Sequence, residues 1–217
     1  MIGKKENLKK YREIRTKEEA RDFQKRYYGD YCSEYNINRK KMKSCSYEYR
    51  MIYAGKPIEV YLGEVYSQVN AYMRGIEQPQ DDYRRYDLDM LIDRINEIIY
   101  CAPTLPEDIV VYRAIDEKTL NIIMQSVKEY NAYIEKGFMS TSLLKESLLE
   151  DNSSYTDLLK IYVPQGIHVL GVDFIKDRGE YEMLFPEKQH LKYIGHHKNI
   201  IKKARIYEFQ LIKYAND

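Results

Sequence analysis

The chain changes its periodicity once, at Pro103 and Pro106, and that change limits the folds open to it. Before the two prolines the apolar residues recur at helical spacing. Thr16-Lys17-Glu18-Glu19 has the pattern of a capping box, in which the Thr16 hydroxyl accepts from the Glu19 amide while Glu19 reaches back. Ala20, Phe23 and Tyr27 continue it as an amphipathic helix to about Tyr35. The spacing predicts a second helix over Lys40 to Ala54, stopped by Gly55 and Pro57, and a third over Glu59 to Arg74, stopped by Gly75. After a loop rich in Gln, Asp and Pro, the residues Leu88, Leu91, Ile92, Ile95, Ile98 and Ile99 mark a fourth. Beyond Pro106 the chain breaks into short β-branched or aromatic runs separated by Gly, Pro, Asp and Asn. These are IVVYRAI (109–115), GFMSTSL (137–143), LLKIYVP (158–164), IHVLGVDF (167–174), EYEMLFP (180–186), HLKYIG (190–195) and ARIYEFQLI (204–212). One helical stretch, about Lys118 to Tyr130, interrupts them. The expected class is therefore α+β in a single domain, with residues about 10–102 mainly helical and about 107–213 mainly β.

Composition narrows the function classes. With hydrophobic residues at 44% and charged residues at 32%, the chain can bury a core. Its 35 Lys and Arg against 34 Asp and Glu leave a net charge of +1, which gives no support to bulk binding of nucleic acid or an anionic membrane. The basic N-terminus and the Arg39–Lys43 run read as solvated helix faces. No run approaches the ~20 apolar residues of a membrane span, and no apolar stretch follows MIGKKENLKK to make a signal peptide. Cys32, Cys45 and Cys101 form no CxxC pair, and the four histidines are scattered, so neither a disulfide framework nor a metal is expected. Tyrosine at 23 residues, with no tryptophan, suits strands and half-buried faces.

Four segments could carry chemistry. In RGEYEMLFPEK, strand alternation would put Glu180, Glu182 and Leu184 on one face and Tyr181, Met183 and Phe185 on the other. Two carboxylates side by side raise one pKa unless something uses them; the plain alternative is an exposed sheet edge with two solvated glutamates. Arg113 sits inside the apolar run VVYRAI and needs an anionic partner, a structural salt bridge being the simplest. Ser140 and Ser142 point to one face of GFMSTSL, where their hydroxyls can fix a neighbouring carboxylate. On the third helix Tyr66, Asn70 and Arg74 lie at steps of four, one stripe of ring, amide and guanidinium.

In this order the segments resemble the bacterial ADP-ribosyltransferase exotoxins of the Arg–Ser–Glu class, over almost the whole chain. RTKEEARDFQKRYYGDY is similar to the family's N-terminal helix and EVYSQVNAYMRG to its cofactor helix. VYRAI is similar to the strand bearing the first-motif arginine, KGFMSTSL to the Ser-Thr-Ser motif and GEYEMLFP to the Glu-x-Glu motif. The resemblance implies two packed, mostly antiparallel sheets enclosing a cleft for NAD, used as a substrate without a metal. It implies transfer of ADP-ribose to a protein side chain. By resemblance Glu182 holds the ribose 2′-hydroxyl and steadies positive charge as it develops, and Ser140 orients Glu182. Arg113, Tyr66, Asn70, Arg74 and Ser142 line the cofactor pocket, and Phe174 with its neighbours touches the target. Glu at position 180, where some members carry Gln, implies arginine as acceptor, because a protonated guanidinium needs a base before it can attack.

The resemblance also implies a target protein in a host or competitor cell, a secreted or delivered toxin, and a delivery or immunity partner. One departure stands out. After the serines the family carries an aromatic and an arginine, whereas LLKESLLEDNSSYTD has no arginine, with Tyr155 as its one aromatic and Lys145 as a substitute charge without the fork. The chain is nearer in size to single-domain exoenzymes, which carry Gln in place of Glu180, than to two-domain binary toxins. An NAD glycohydrolase and a non-catalytic binding module that keeps the fold are the alternatives; a carbohydrate-cleaving enzyme is more distant.

Overall fold

The computed structural model describes residues 8–41, 56–148, 157–198 and 205–213. The expected helix over Lys40 to Ala54 falls almost wholly outside them. The Thr16 cap forms as expected: Thr16 Oγ1 accepts from the Glu19 amide at 3.1 Å, and the Glu19 carboxylate accepts from the Arg15 amide at 3.0 Å. Helix α1, Lys17–Lys41, then runs without a break beyond the expected stop near Tyr35.

The third expected helix is three pieces. Helix α2, Pro57–Val60, passes into a π-helical turn, Tyr61–Val65, and then into α3, Tyr66–Met73. Helix α3 ends as its glycine requires. Gly75 takes φ +73, and the amides of Gly75 and Ile76 return to the carbonyls of Tyr72 and Ala71, both at 2.9 Å. Helix α4, Asp82–Cys101, is capped by Asp81, which accepts from Arg84 N at 2.7 Å, and buries Leu88, Leu91, Ile92, Ile95 and Ile99. Helix α5, Glu117–Tyr130, is capped by Asp116 and buries Leu120, Ile123 and Val127.

The strands are β1 (Ile109–Ile115), β2 (Ala132–Glu135), β3 (Met139–Ser142), β4 (Asp157–Val163), β5 (Leu170–Gly171), β6 (Glu182–Phe185), β7 (Gln189–Lys198) and β8 (Arg205–Leu211). Hydrogen bonds link them in the order β2-β7-β8-β4-β1-β3-β6-β5. Only β4 and β8 pair in parallel. The two sheets expected from the resemblance are thus continuous. Strand β1 pairs with β4 along seven residues but with β3 only at Tyr112 and Ser142. That one joint separates five strands from three.

Strand β2 escapes the sequence reading: AYIE is short, lies at one end of the order and exposes part of three of its four residues. The expected strand over 167–174 shrinks to Leu170–Gly171. The strand expected from Glu180 begins only at Glu182, because Tyr181 takes φ +52 and breaks the alternation. Nor is it a sheet edge. Strand β6 lies between β3 and β5, and all four of its residues are buried.

Candidate active site

Glu182 is held by its backbone on both sides and by its side chain on one. Its amide donates to Asp173 Oδ1 at 3.1 Å, and its carbonyl accepts from Gln24 Nε2 at 3.0 Å and from Val172 N at 3.1 Å. Gln24 is fully buried on α1 and also accepts from the Asp173 amide at 3.2 Å. The backbone is therefore fixed from both sides before the side chain does anything. In the antiparallel register Ser142 lies opposite Glu182 and Ser140 opposite Leu184, so Ser140 reaches Glu182 diagonally. Its hydroxyl donates to Glu182 Oε1. The other oxygen, Oε2, is buried with no hydrogen-bond partner. Arg178 Nη1 stands 3.9 Å from it. Burial pushes the carboxyl up to about 7, while the Ser140 bond and the charge of Arg178 pull the other way. Burial raises Asp173 as well, to about 6.

Glu180 precedes the strand and keeps 42% of its side chain exposed. Arg178 Nη2 donates to Glu180 Oε1 at 2.8 Å, and Arg178 Nη1 donates to the Leu62 carbonyl on the π turn at 3.0 Å. The two glutamates thus differ in environment, one buried and half-bonded, the other wet and paired.

Ser142 does not join Ser140 on Glu182. Its Oγ accepts from the Leu144 amide at 3.0 Å and lies 2.7 Å from the Glu180 carbonyl, so it ties together the two loops at one end of the β3–β6 pair. The Tyr66, Asn70 and Arg74 stripe also divides. Tyr66 is half-exposed and lines the cleft. Asn70 is buried, donating to the Tyr61 hydroxyl at 2.9 Å and accepting from the Phe138 amide at 2.9 Å. A Cβ at Gly137 would stand 2.6 Å from Asn70 Oδ1, so the approach of α3 to the start of β3 requires glycine there.

Arg74 reaches a residue the sequence reading missed. Glu135, 1% exposed on β2, receives a forked contact from Arg74 at 2.9 and 3.0 Å and a third from Arg113 Nη1 at 3.1 Å. The Gly137 amide adds a bond at 3.0 Å. Burial works to raise the Glu135 carboxyl, but Arg113 and Arg74 together hold it below its ordinary range. Two guanidiniums on one carboxylate leave a formal surplus of one positive charge.

A cleft of about 520 Å³ runs from Tyr66, Asn70 and Arg113 past Ser140 and Ser142 to Glu180, Glu182 and Arg178; Arg74 and Glu135 stand behind Arg113 and are not part of its lining. It lies over the β1–β3 joint, lined by residues of both strands. Leu148 lines it too, from the segment after the serines; Tyr155 is outside the described residues, and Lys145 is not part of the lining. Phe174 lies elsewhere, beside a cavity of about 50 Å³ with Arg21, Asp177 and Tyr181. A cavity of about 320 Å³ between Tyr100, His168 and His190 shares no residue with the cleft. Among the described residues no group of His, Cys, Asp or Glu is placed to hold a metal ion, and no helix is long and apolar enough to cross a membrane.

The lining thus carries Arg113 on one side, the serine hydroxyls in the middle and two carboxylates with Arg178 on the other. The family model of the ADP-ribosyltransferase exoenzymes matches residues 5–210. The chain belongs to this family. The exoenzyme fold is also that of Plx2a, an ADP-ribosyltransferase toxin from Paenibacillus larvae, at TM-score 0.69 and 20% identity over 94% of this chain and 100% of that one. BECa, an ADP-ribosylating toxin of a C. perfringens binary enterotoxin solved with NADH, gives TM-score 0.69 and 17% identity over 94% of this chain and 50% of its own. The Clostridium limosum C3 exoenzyme gives TM-score 0.66 and 16% identity, over 94% and 98%. No curated protein sequence matches the exoenzyme. At these identities the structures establish the fold alone, and the chemistry of the cleft has to be argued from its own residues.

Proposed function

We propose that the protein takes ADP-ribose from NAD and transfers it to an arginine of a target protein. The observation that carries this reading is the buried, unpartnered Oε2 of Glu182, held beside Ser140 at the floor of the cleft and two residues from a second carboxylate. A buried acceptor without a donor is costly unless a ligand supplies one. A ribose hydroxyl is such a donor, and the surplus charge around Glu135 suits a phosphate. The residues therefore fit NAD, which when bound supplies an ADP-ribosyl group on a good leaving group, nicotinamide.

In this reading Glu182 accepts the ribose hydroxyl and, ionised, offsets positive charge developing on the sugar. With its carboxyl near 7, the Ser140 hydrogen bond and the Arg178 charge keep a useful fraction ionised at neutral pH. Arg113, on the lining, faces the phosphates, while Arg74 stands behind it and fixes Glu135, which in turn holds Arg113 in place. Tyr66 offers an exposed ring at the mouth, while Asn70 and Ser142 act through the backbone that they hold. Glu180, exposed at the rim, takes the proton of the incoming guanidinium. Phe174, on the same connecting segment, contributes to the face met by the target. The target protein belongs to a host or competitor cell, reached by secretion or delivery, with a delivery or immunity partner consistent with that life cycle.

Incubation with tagged NAD and host lysate tests the reading. Labelling of a protein by the wild type and none by Glu182→Gln is expected; equal labelling by both would sink the role of Glu182. Mass spectrometry of the acceptor then decides arginine. One observation favours a second reading, an NAD glycohydrolase: Arg178 already occupies Glu180, the group that an outside arginine needs. Nicotinamide release without labelled protein, unchanged in Glu180→Gln, would select it.

A further inference from the structure

Arg178 serves the proposed reaction only through its charge, yet the geometry sets it against both carboxylates. It belongs to the segment between β5 and β6, which folds back through Gly179 at φ +67 and Tyr181 at φ +52. Those two left-handed residues turn the Arg178 side chain onto the carboxylates that follow it. One guanidinium nitrogen lies 2.8 Å from Glu180 Oε1, and the other lies 3.0 Å from the Leu62 carbonyl and 3.9 Å from Glu182 Oε2. The segment rests on the π turn at a second point, since a Cβ on Gly63 would come within 2.8 Å of Lys176 Nζ. A π turn displaces backbone carbonyls from the regular ladder, which frees Leu62 to accept from a side chain. Arg178 also lines the cleft and remains 33% exposed, so a ligand can reach it.

An acceptor arginine must present a guanidinium nitrogen to the base, near the carboxylate that holds the ribose, with its plane fixed. Arg178 satisfies each requirement within its own chain. We infer that Arg178 is a built-in acceptor: a self-modification site to which the protein's own transferase activity attaches ADP-ribose. The inference rests on the NAD-dependent, arginine-directed reading above. In the step, an Arg178 Nη forms a bond to the ribose C1′ carbon as the C1′–nicotinamide bond breaks. The electron pair of that bond leaves with nicotinamide, which becomes neutral, and the Nη proton passes to Glu180. The product leaves a bulky anionic group across Glu180 and Glu182, so modification closes the cleft to further turnover.

The test uses the purified chain with NAD, read by intact mass and then by fragmentation of its peptides, with agmatine as a free guanidinium acceptor in a parallel arm. One ADP-ribose on Arg178 is expected, forming at a rate independent of protein concentration and absent from Glu182→Gln. Modification of agmatine without modification of Arg178 would overturn the inference while leaving the arginine reading intact. A group found on another residue, or a rate that rises with protein concentration, would overturn it too. If neither agmatine nor the chain is modified, the arginine reading fails and this inference fails with it. A second readout needs no NAD: amide hydrogen exchange over residues 177–181 should quicken ~3-fold or more in Arg178→Lys, which loses the two-point contact. Unchanged exchange would show that the guanidinium is not seated on Leu62 and Glu180, and would also overturn the assignment.

Discussion

Two charge clusters are built from the same pair of groups in opposite proportions. At the Arg113 end of the cleft, behind its lining, Arg74 and Arg113 share Glu135; at the other end, on the lining, Glu180 and Glu182 share Arg178. The first is sealed, with Glu135 2% exposed at its side chain, and every oxygen of that carboxylate is bonded. The second is unfinished, with Glu182 Oε2 unbonded and Glu180 in water. Ion pairs alone therefore do not tell a support from a reactive site. What separates them is the sign of the surplus charge and whether any buried valence is left open.

Breaking the sealed end should have the largest effect. Glu135→Gln leaves two guanidiniums without their shared charge, and urea unfolding should show a loss of ~3 kcal/mol or more. A loss below ~1 kcal/mol would mean that the arginines find water instead.

Removing the buried charge of the open end should do the reverse for stability. The Glu182 carboxyl titrates near 7 when folded against an ordinary 4.5, so the unfolded chain releases its proton first. Stability should then fall as pH rises from 4.5 towards 7. Glu182→Gln removes that penalty, worth ~3 kcal/mol from the size of the shift. It should raise the melting temperature at pH 8, not at pH 4, while abolishing transfer. An equal change at both pH values would contradict the burial argument.

Smaller effects sharpen the contrast. Gln24→Ala strands the Asp173 amide and removes one of the two donors to the Glu182 carbonyl, and should cost ~1–3 kcal/mol, with transfer slowed although the residue is remote from the rim. Arg178→Ala should cost less than ~1 kcal/mol, because its ion pair with Glu180 is partly exposed, and salt should reduce that difference further.

The sealed end is also the part the sequence hid. Arg113 stood out in an apolar run, and the demand for an anionic partner was legible there. Its partner was not, because AYIE has no pattern that separates a short edge strand from a loop, and it pairs with β7 from more than fifty residues away. Ser140 and Glu182 were legible from order and spacing, and they meet. The alternation that linked Glu180 to Glu182 fails at Tyr181, whose positive φ no local pattern announces. Asn70 and Ser142, expected to face a ligand, lie on the cleft lining and also satisfy buried backbone groups at the places where elements join.

What the sequence determined by itself were the local terms: the Thr16 cap, the Gly75 stop, the apolar stripes of α4 and α5, and β1 to the residue. Each depends on neighbours within a few positions, so periodicity and capping chemistry suffice. It also held the order of arginine, serine and glutamate that places the chain in its family. The tertiary structure decided the charge state and the company of those residues. Whether Glu182 is buried, which of its oxygens is left open, which carboxylate shares two arginines and where Arg178 comes to rest all depend on strand register and on a loop folded back onto a π turn. These are contacts between distant parts of the chain, fixed only when the core closes.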